Sequence, residues 1–461
     1  MKDQPRPHKR NYNKLPKSAH ELIQTMSAAE KRYFTSQIKD VKNNKGETPD
    51  YLHLFHILNK MNEYDEKKAK KLLLKKVGKE SFSNFSIKKN DLYEVLKKHL
   101  KAFHLKNAKQ SADYIKVLIY DANFFFKRRM YEQSKKYLLD AKKMAEECGD
   151  TLSLIEINRF EREYMRTTRD LEIEKKIKIL HEEENQLLEN LKIEADCMKD
   201  YDLLVTNRFR KSRLTSEKEI EKFKKEFGYL EAKRTNDNYP ILAVRFLLSS
   251  LSEYYHMIQE NDLMLEVREL HYDWWKKNRL WRKQLPHNFI NSLSNLLAAF
   301  HRKKDYKKFP DLLARLDAIE ASNKIEEAQR FHRLINYRLV HYLNVGLIEE
   351  ACHLSSLVEK GFKKYKLNEG VQVILAFNTL IGYFFNRNFK KCIYWVDFFK
   401  PYKKTEREFL VVQVAQLIEV ITFYDLKQNK NFVDAYESAL KYFKEDFQYT
   451  EEDFQIKVLI F

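Results

Sequence analysis

The chain has 461 residues, with 86 lysines and arginines against 67 aspartates and glutamates, 13% aromatics, and only 8 glycines and 8 prolines. So little Gly and Pro leaves a β-rich fold without its turn formers and predicts an almost wholly helical chain. The same scarcity makes a phosphate-cradling loop hard to build. GxGxxG, GxxxxGKS/T, HExxH, GxSxG and DxDxDG are all absent, so neither catalysis nor a cofactor is expected.

The net charge of +19 is uneven: residues 1–110 hold 26 basic and 12 acidic residues, the remainder 60 and 55. Attraction to a polyanion is therefore expected of the N-terminal quarter. Cys148, Cys197, Cys352 and Cys392 are far apart and form no CxxC. That spacing predicts free thiols in a reducing, cytoplasmic setting. The first residues, MKDQPRPHKRNYNKLPKS, carry no apolar signal region, and no run approaches 18 apolar residues, so no membrane span is expected.

In chain order, residues 1–17 predict a disordered basic tail and 18–110 a small basic module of short helices. Helices are expected at Ser18–Met26 and Ser27–Val41, the second opened by the capping box Ser27-Ala-Ala-Glu30. GETPD at 46–50 is a turn, followed by YLHLFHILNKM at 51–61 and the basic helix Asp65–Val77. After a loop at Gly78–Asn84, Ser86 is expected to cap IKKNDLYEVLKKHLKAFH.

From residue 111 the segments lengthen. The first clear hairpin is YIKVLIYDANFFFKRR with MYEQSKKYLLDAKKMAEECGD, its second helix stopped by Gly149. Charged segments over 152–210 lack a sustained heptad and predict further hairpins, with turns near Thr168–Leu171 and Arg213–Glu217. Pro240 is expected at the first position of the next helix. Thr450-Glu-Glu-Asp453 forms another capping box before DFQIKVLIF. That last segment, 451–461, is expected to fold back on the final hairpin; a docking surface or a continuing chain are the alternatives.

One turn recurs: FHRKKDYKKF at Phe300–Phe309, YLNVGLIEEA at Tyr342–Ala351, FFNRNFKKC at Phe384–Cys392 and YDLKQNKNFVDA at Tyr424–Ala435. Its apolar residue falls at Tyr306, Leu347, Phe389 and Phe432, a period of about 42. Leu263 and Tyr131 fit upstream. These hairpins resemble tetratricopeptide-type repeats over about 120–160 and 245–445. Tyr131, Tyr306, Phe389 and Phe432 match the aromatic that opens the second helix. Ala141, Ala435 and Ala439 match small packing positions, and Phe125 and Ala122 match first-helix positions. The period exceeds the family's roughly 34 residues and most small positions hold larger side chains, which implies longer helices and an irregular superhelix. The fold expected is all-α: a right-handed α-solenoid over 111–450 behind the basic module.

Eleven residues before the turn position stand Asn295, Asn336 and Asn378, on successive first helices. The register gives Ile421 and Ser252 at the flanking hairpins. In the superhelices this chain resembles, first helices line a concave groove, and asparagines so placed hydrogen-bond a peptide backbone, which an amide suits by offering donors and an acceptor. The resemblance thus implies a scaffold or adaptor for a peptide or protein partner. Amide contacts between helices are the structural alternative. A second reading takes residues 67–101 as a helix–turn–helix that presents Lys88, Lys89, Asn90, Lys97 and Lys98 to nucleic acid or a ribosome surface. His53 and His56, HEEEN at 181–185, and Tyr272-Asp-Trp-Trp275 with Trp281 are expected to be packing or surface features.

Overall fold

The computed structural model describes residues 17–38, 41, 48–78, 85–107, 109, 111–169, 172–211, 214–234, 238–399 and 406–447. Among them the regular elements are helices and no strand occurs. No described helix is long and apolar enough to cross a membrane. Residues 1–16, the capping box at 450–453, the segment 451–461, the loop residues 79–84 and the turn residues 46–47, 170–171 and 213 lie outside the described set. Two compact units emerge: Met1–Pro286 with Ala321–Ile325, and His287–Glu320 with Glu326–Phe461.

The first unit begins with α1 (Ser18–Thr25), α2 (Ala28–Ile38), α3 (Asp50–Asn59), α4 (Glu66–Val77) and α5 (Phe85–Asn107). These share a core of their own, including Ile23, Phe34, Leu54, Leu58, Leu73, Leu92 and Leu96. The capping box is reciprocal: Ser27 N donates to Glu30 Oε2 at 2.6 Å, and Glu30 N to Ser27 Oγ at 3.2 Å. Glu30 is buried, and its other oxygen lies 2.8 Å from His104 Nε2 on α5. Burial would raise that carboxyl, but His104 and Ser27 hold it below its ordinary range. Asp65 caps α4 by accepting from Lys68 N at 3.0 Å. Ser86 sits inside α5, which already runs from Phe85, so it does not cap that helix.

Next come α6 (Asp113–Phe126), α7 (Tyr131–Cys148), α8 (Thr151–Thr168), α9 (Ile173–Arg210), α10 (Glu217–Phe227), α11 (Tyr229–Lys233), α12 (Ile241–Met257), α13 (Asn261–Lys277) and α14 (Arg279–Gln284). Gly149 ends α7 in the left-handed conformation, φ 64°. A side chain there would also meet Ile241, 2.8 Å from an added Cβ. Pro240 stands one residue before α12, not at its first position.

As expected, α8 ends at Thr168 and packs against α9 as a hairpin, and α10 opens at Glu217, but no further hairpin divides the interval: 173–210 is one helix of 38 residues. Its inward groups explain the continuity. Leu180, Cys197 and Leu204 are buried along with Glu194 and Asp200, so apolar and paired polar groups alternate down one face. HEEEN lies on this helix: Arg162 of α8 donates to His181 Nδ1 at 2.9 Å, and Arg159 to Glu184 Oε1 at 2.6 Å. The tryptophans are packed. Trp274 Nε1 donates to Ile241 O at 2.9 Å and Trp281 Nε1 to Cys148 O at 2.7 Å.

The second unit contains α15 (Pro286–Arg302) from His287 onward, α16 (Phe309–Asp317), α17 (Lys324–Val345) from Glu326 onward, α18 (Ile348–His353), α19 (Ser355–Lys364), α20 (Glu369–Phe385), α21 (Phe389–Asp397), α22 (Glu406–Asp425) and α23 (Asn429–Phe447). Leu339, Ala351, Val358, Ala376, Leu380, Cys392, Trp395 and Ile418 meet in one core. Gly361 lets α19 approach Phe331 closely, since an added Cβ would lie 2.2 Å from the ring.

A common local device ends α6, α12, α15, α17, α20 and α22. One residue turns left-handed: Arg129, Gln259, Lys304, Gly346, Arg387 and Lys427. The following N–H closes back on an aromatic residue's carbonyl, as in Asp305 N to Phe300 O at 3.0 Å, Leu347 N to Tyr342 O at 2.9 Å and Asn388 N to Tyr383 O at 2.9 Å. This is the 6→1 bond of a Schellman turn, which satisfies a carbonyl the helix itself leaves open.

Candidate functional site

The second unit places Asn336 on α17 and Asn378 on α20, both half-buried. Asn378 Nδ2 donates to Asn336 Oδ1 at 3.0 Å. Each amide has two donor hydrogens and one acceptor oxygen. The bond therefore leaves Asn378 Oδ1, its second hydrogen and both hydrogens of Asn336 without another partner among the described residues. Asn295 is also half-buried and has interactions of its own.

The α15–α17 junction uses a different amide pair, absent from the sequence register. Gln329 Nε2 donates to Asn291 Oδ1 at 2.9 Å and approaches His287 O at 3.3 Å. These two residues are 38 apart, and one is a glutamine, so a search for asparagine at a constant offset passes over them. Extending the search to either amide with variable spacing would find them.

Apolar groups flank the amides. On α20, Ile374 is 47% exposed and Phe385 is 62% exposed. Positions 374, 378 and 385 differ by four and seven residues, so they share a helix face with Asn378. This surface presents amide donors and an acceptor between exposed apolar side chains. On α17, burial holds His332 down at about 4, with Arg333 beside it adding to the effect.

The polyanion candidates lie on α5 in the first unit, where much of their charge is used internally. Lys88 forms an ion pair with Asp50. Lys89 Nζ lies 2.8 Å from Glu66 Oε2 and 3.2 Å from Tyr64 Oη, and stands over the rings of Tyr64 and Phe85. Lys89 draws the Glu66 carboxyl down to about 2 against the opposing effect of burial, with help from Lys70 and Tyr64. Lys97 pairs with Glu94 one turn back at 2.6 Å and lies over Tyr93. Asn90 is half-buried and Lys98 is exposed.

Burial lowers the proton affinity of both His53 and His56, and Lys76 beside them lowers it further. All four cysteines are free and buried. Burial pushes the thiols of Cys148 and Cys392 up to about 12 and Cys197 to about 11. Comparison of the chain with protein-family models, with curated proteins and with solved structures gives no match.

Proposed function

We propose that this chain is a non-enzymatic helical-repeat adaptor, in which the segment 111–450 forms a right-handed, tetratricopeptide-like solenoid that holds an extended peptide of a protein partner. The bond between Asn336 and Asn378 is itself the inter-helix amide contact of the structural alternative; the observation that carries this reading is that it leaves donors and an acceptor of the two side chains without a partner among the described residues. Two asparagines 42 residues apart in sequence sit side by side on neighbouring first helices, with donors and an acceptor still available. An extended backbone offers the complementary N–H and C=O groups. Ile374 and Phe385 supply apolar anchors on the same face.

The turns support a repeating architecture: the left-handed residues at 304, 346, 387 and 427 are 42, 41 and 40 residues apart. Four unreactive, unpaired thiols suit a reducing cytoplasm.

The test is affinity purification with quantitative mass spectrometry, using the intact protein and an N295A/N336A/N378A variant. The variant should keep the wild-type circular dichroism spectrum and lose its partners by about tenfold, since each lost hydrogen bond removes about 0.5–1.5 kcal/mol. A folded triple variant that retrieves the same partners at the same yield rejects the groove.

A further inference from the structure

Two groups stand out among the lysines of the N-terminal module. Lys70, Lys88, Lys89 and Lys97 are in ion pairs with carboxylates of the same module. Lys60, Lys68, Lys75 and Lys76 are exposed and take part in no ion pair among the described residues. These four converge on a cleft of about 930 Å³ between the end of α3 and one side of α4. That volume is at the upper end of ligand-sized pockets.

Helical geometry explains the convergence. On α4, Ala69 and Leu73 point into the core. Glu66 and Lys70 face α5, where Glu66 meets Lys89 and Lys70 stands over Phe85. The third face carries positions 68, 72, 75 and 76, which recur at i, i+4, i+7 and i+8 and so lie together. Leu72 is 38% exposed in the middle of this lysine face, and the edges of Ile57 and Met61, both buried in the module's own core, lie beside it at the α3 end. The cleft thus has an apolar floor and a cationic rim. Lys76 and Lys60 also act on His56, which burial and these charges hold below its ordinary range.

We propose that this cleft binds an acidic amphipathic helix of a protein partner, with its apolar face centred on Leu72 and its carboxylates at Lys60, Lys68, Lys75 and Lys76. Charge complementarity requires an anionic partner, and the exposed leucine requires an apolar one. Nucleic acid fits less well. The lining contains no arginine and no Phe, Tyr or Trp on which a base stacks. Glu63 and Asp65 stand at one end, where they oppose a continuous run of phosphates. The site is in a different unit from the asparagine face, so each proposal stands or falls alone.

Fluorescence anisotropy on the full chain tests it. The probe is a labelled synthetic helix with leucine and glutamate at i, i+4 spacing, compared with a version whose leucines are serines and with an oligothymidylate of equal charge. The leucine–glutamate helix should bind most tightly. K68E/K75E/K76E should weaken it by about tenfold or more, and Leu72→Ser by several-fold, while K97E/K98E leaves it unchanged. Lys68, Leu72, Lys75, Lys76 and Lys98 are exposed and Lys97 is half-buried, and circular dichroism is to check that the variants stay folded. The proposal is overturned if the helix does not bind, if K68E/K75E/K76E leaves binding unchanged, or if the serine version or the oligonucleotide binds as tightly.

Discussion

The two units bury different polar chemistry. Among the described residues, every buried charged side chain belongs to the first: Glu30, Arg162, Glu194, Asp200, Glu253 and Arg268. The second buries only neutral polar groups, namely Ser292, Ser294, Ser355, Thr379, Gln413 and Thr422. In the first, Asp200 accepts from Tyr229 Oη at 2.7 Å and from Lys233 Nζ at 2.6 Å, and Arg208 reaches both oxygens of Glu253 at 2.8 Å. In the second, Ser355 Oγ lies 2.5 Å from Tyr383 Oη, and amides join successive helices. A buried charge pair gains little net stability over an apolar pair, yet breaking it leaves an uncompensated charge. A neutral bond costs less to lose. The first unit should therefore be brittle to charge removal, and the second tolerant of it.

The largest effect is expected from Lys233→Met, which leaves the buried Asp200 carboxylate with only the Tyr229 hydroxyl. It should cost about 3 kcal/mol, read as lost hydrogen-exchange protection over α9 and α11. Tyr383→Phe in the second unit should cost only about 1 kcal/mol over α18–α21. Equal losses would remove the contrast.

Acid should produce the next largest effect. Burial, with Arg245 and Arg268 nearby, brings His271 down to about 3. Trp275 Nε1 donates to His271 Nε2 at 3.1 Å, a bond that requires that nitrogen to be unprotonated. The folded-state value is depressed, so the group favours folding fully above its ordinary 6.5. Below that, the unfolded chain takes up a proton that the folded chain refuses, and stability falls until pH reaches about 3. The slope is about 1.4 kcal/mol per pH unit, or about 2 kcal/mol lost at pH 5. His271→Gln keeps an acceptor for Trp275 and removes the titration, so its pH 5 to pH 7 difference in melting temperature should shrink. An unchanged difference would exclude His271 as a source of acid sensitivity. In the second unit His332 should act over the narrower window from 6.5 to about 4.

The smallest effect is common to both units. Arg129→Gly and Lys304→Gly each relieve a left-handed residue and should stabilise their hairpins by about 0.5–1 kcal/mol, read as a small rise in melting temperature. A rise in one unit only would mean that the turns differ as the cores do.

Much of this was legible in the chain. Helical content followed from the lack of turn formers, and the Ser27–Glu30 box and the Gly149 stop followed from residues within one turn of each other. The alignment of Asn336 with Asn378 was legible because both occupy one register position. Asn291 with Gln329 was not, since it obeys no constant offset. The unbroken α9 was missed because its inward positions carry charge: Glu194 and Asp200 look like solvent-facing residues until their partners on other helices are known.

The sequence by itself determined what depends on short-range chemistry: which segments coil, the Ser27–Glu30 cap and the Gly149 stop, and which quarter carries the excess charge. Only the tertiary structure decided how that charge is used. Lys88 and Lys89 stand on a helix with as many lysines as the one bearing Lys68, Lys75 and Lys76. The first two meet Asp50 and Glu66, whereas the other three face an open cleft. Whether a lysine is neutralised or left available depends on which helix packs beside it. That follows from burial of the apolar faces of α3, α4 and α5 against one another, since the core sets the angle at which each charged face emerges.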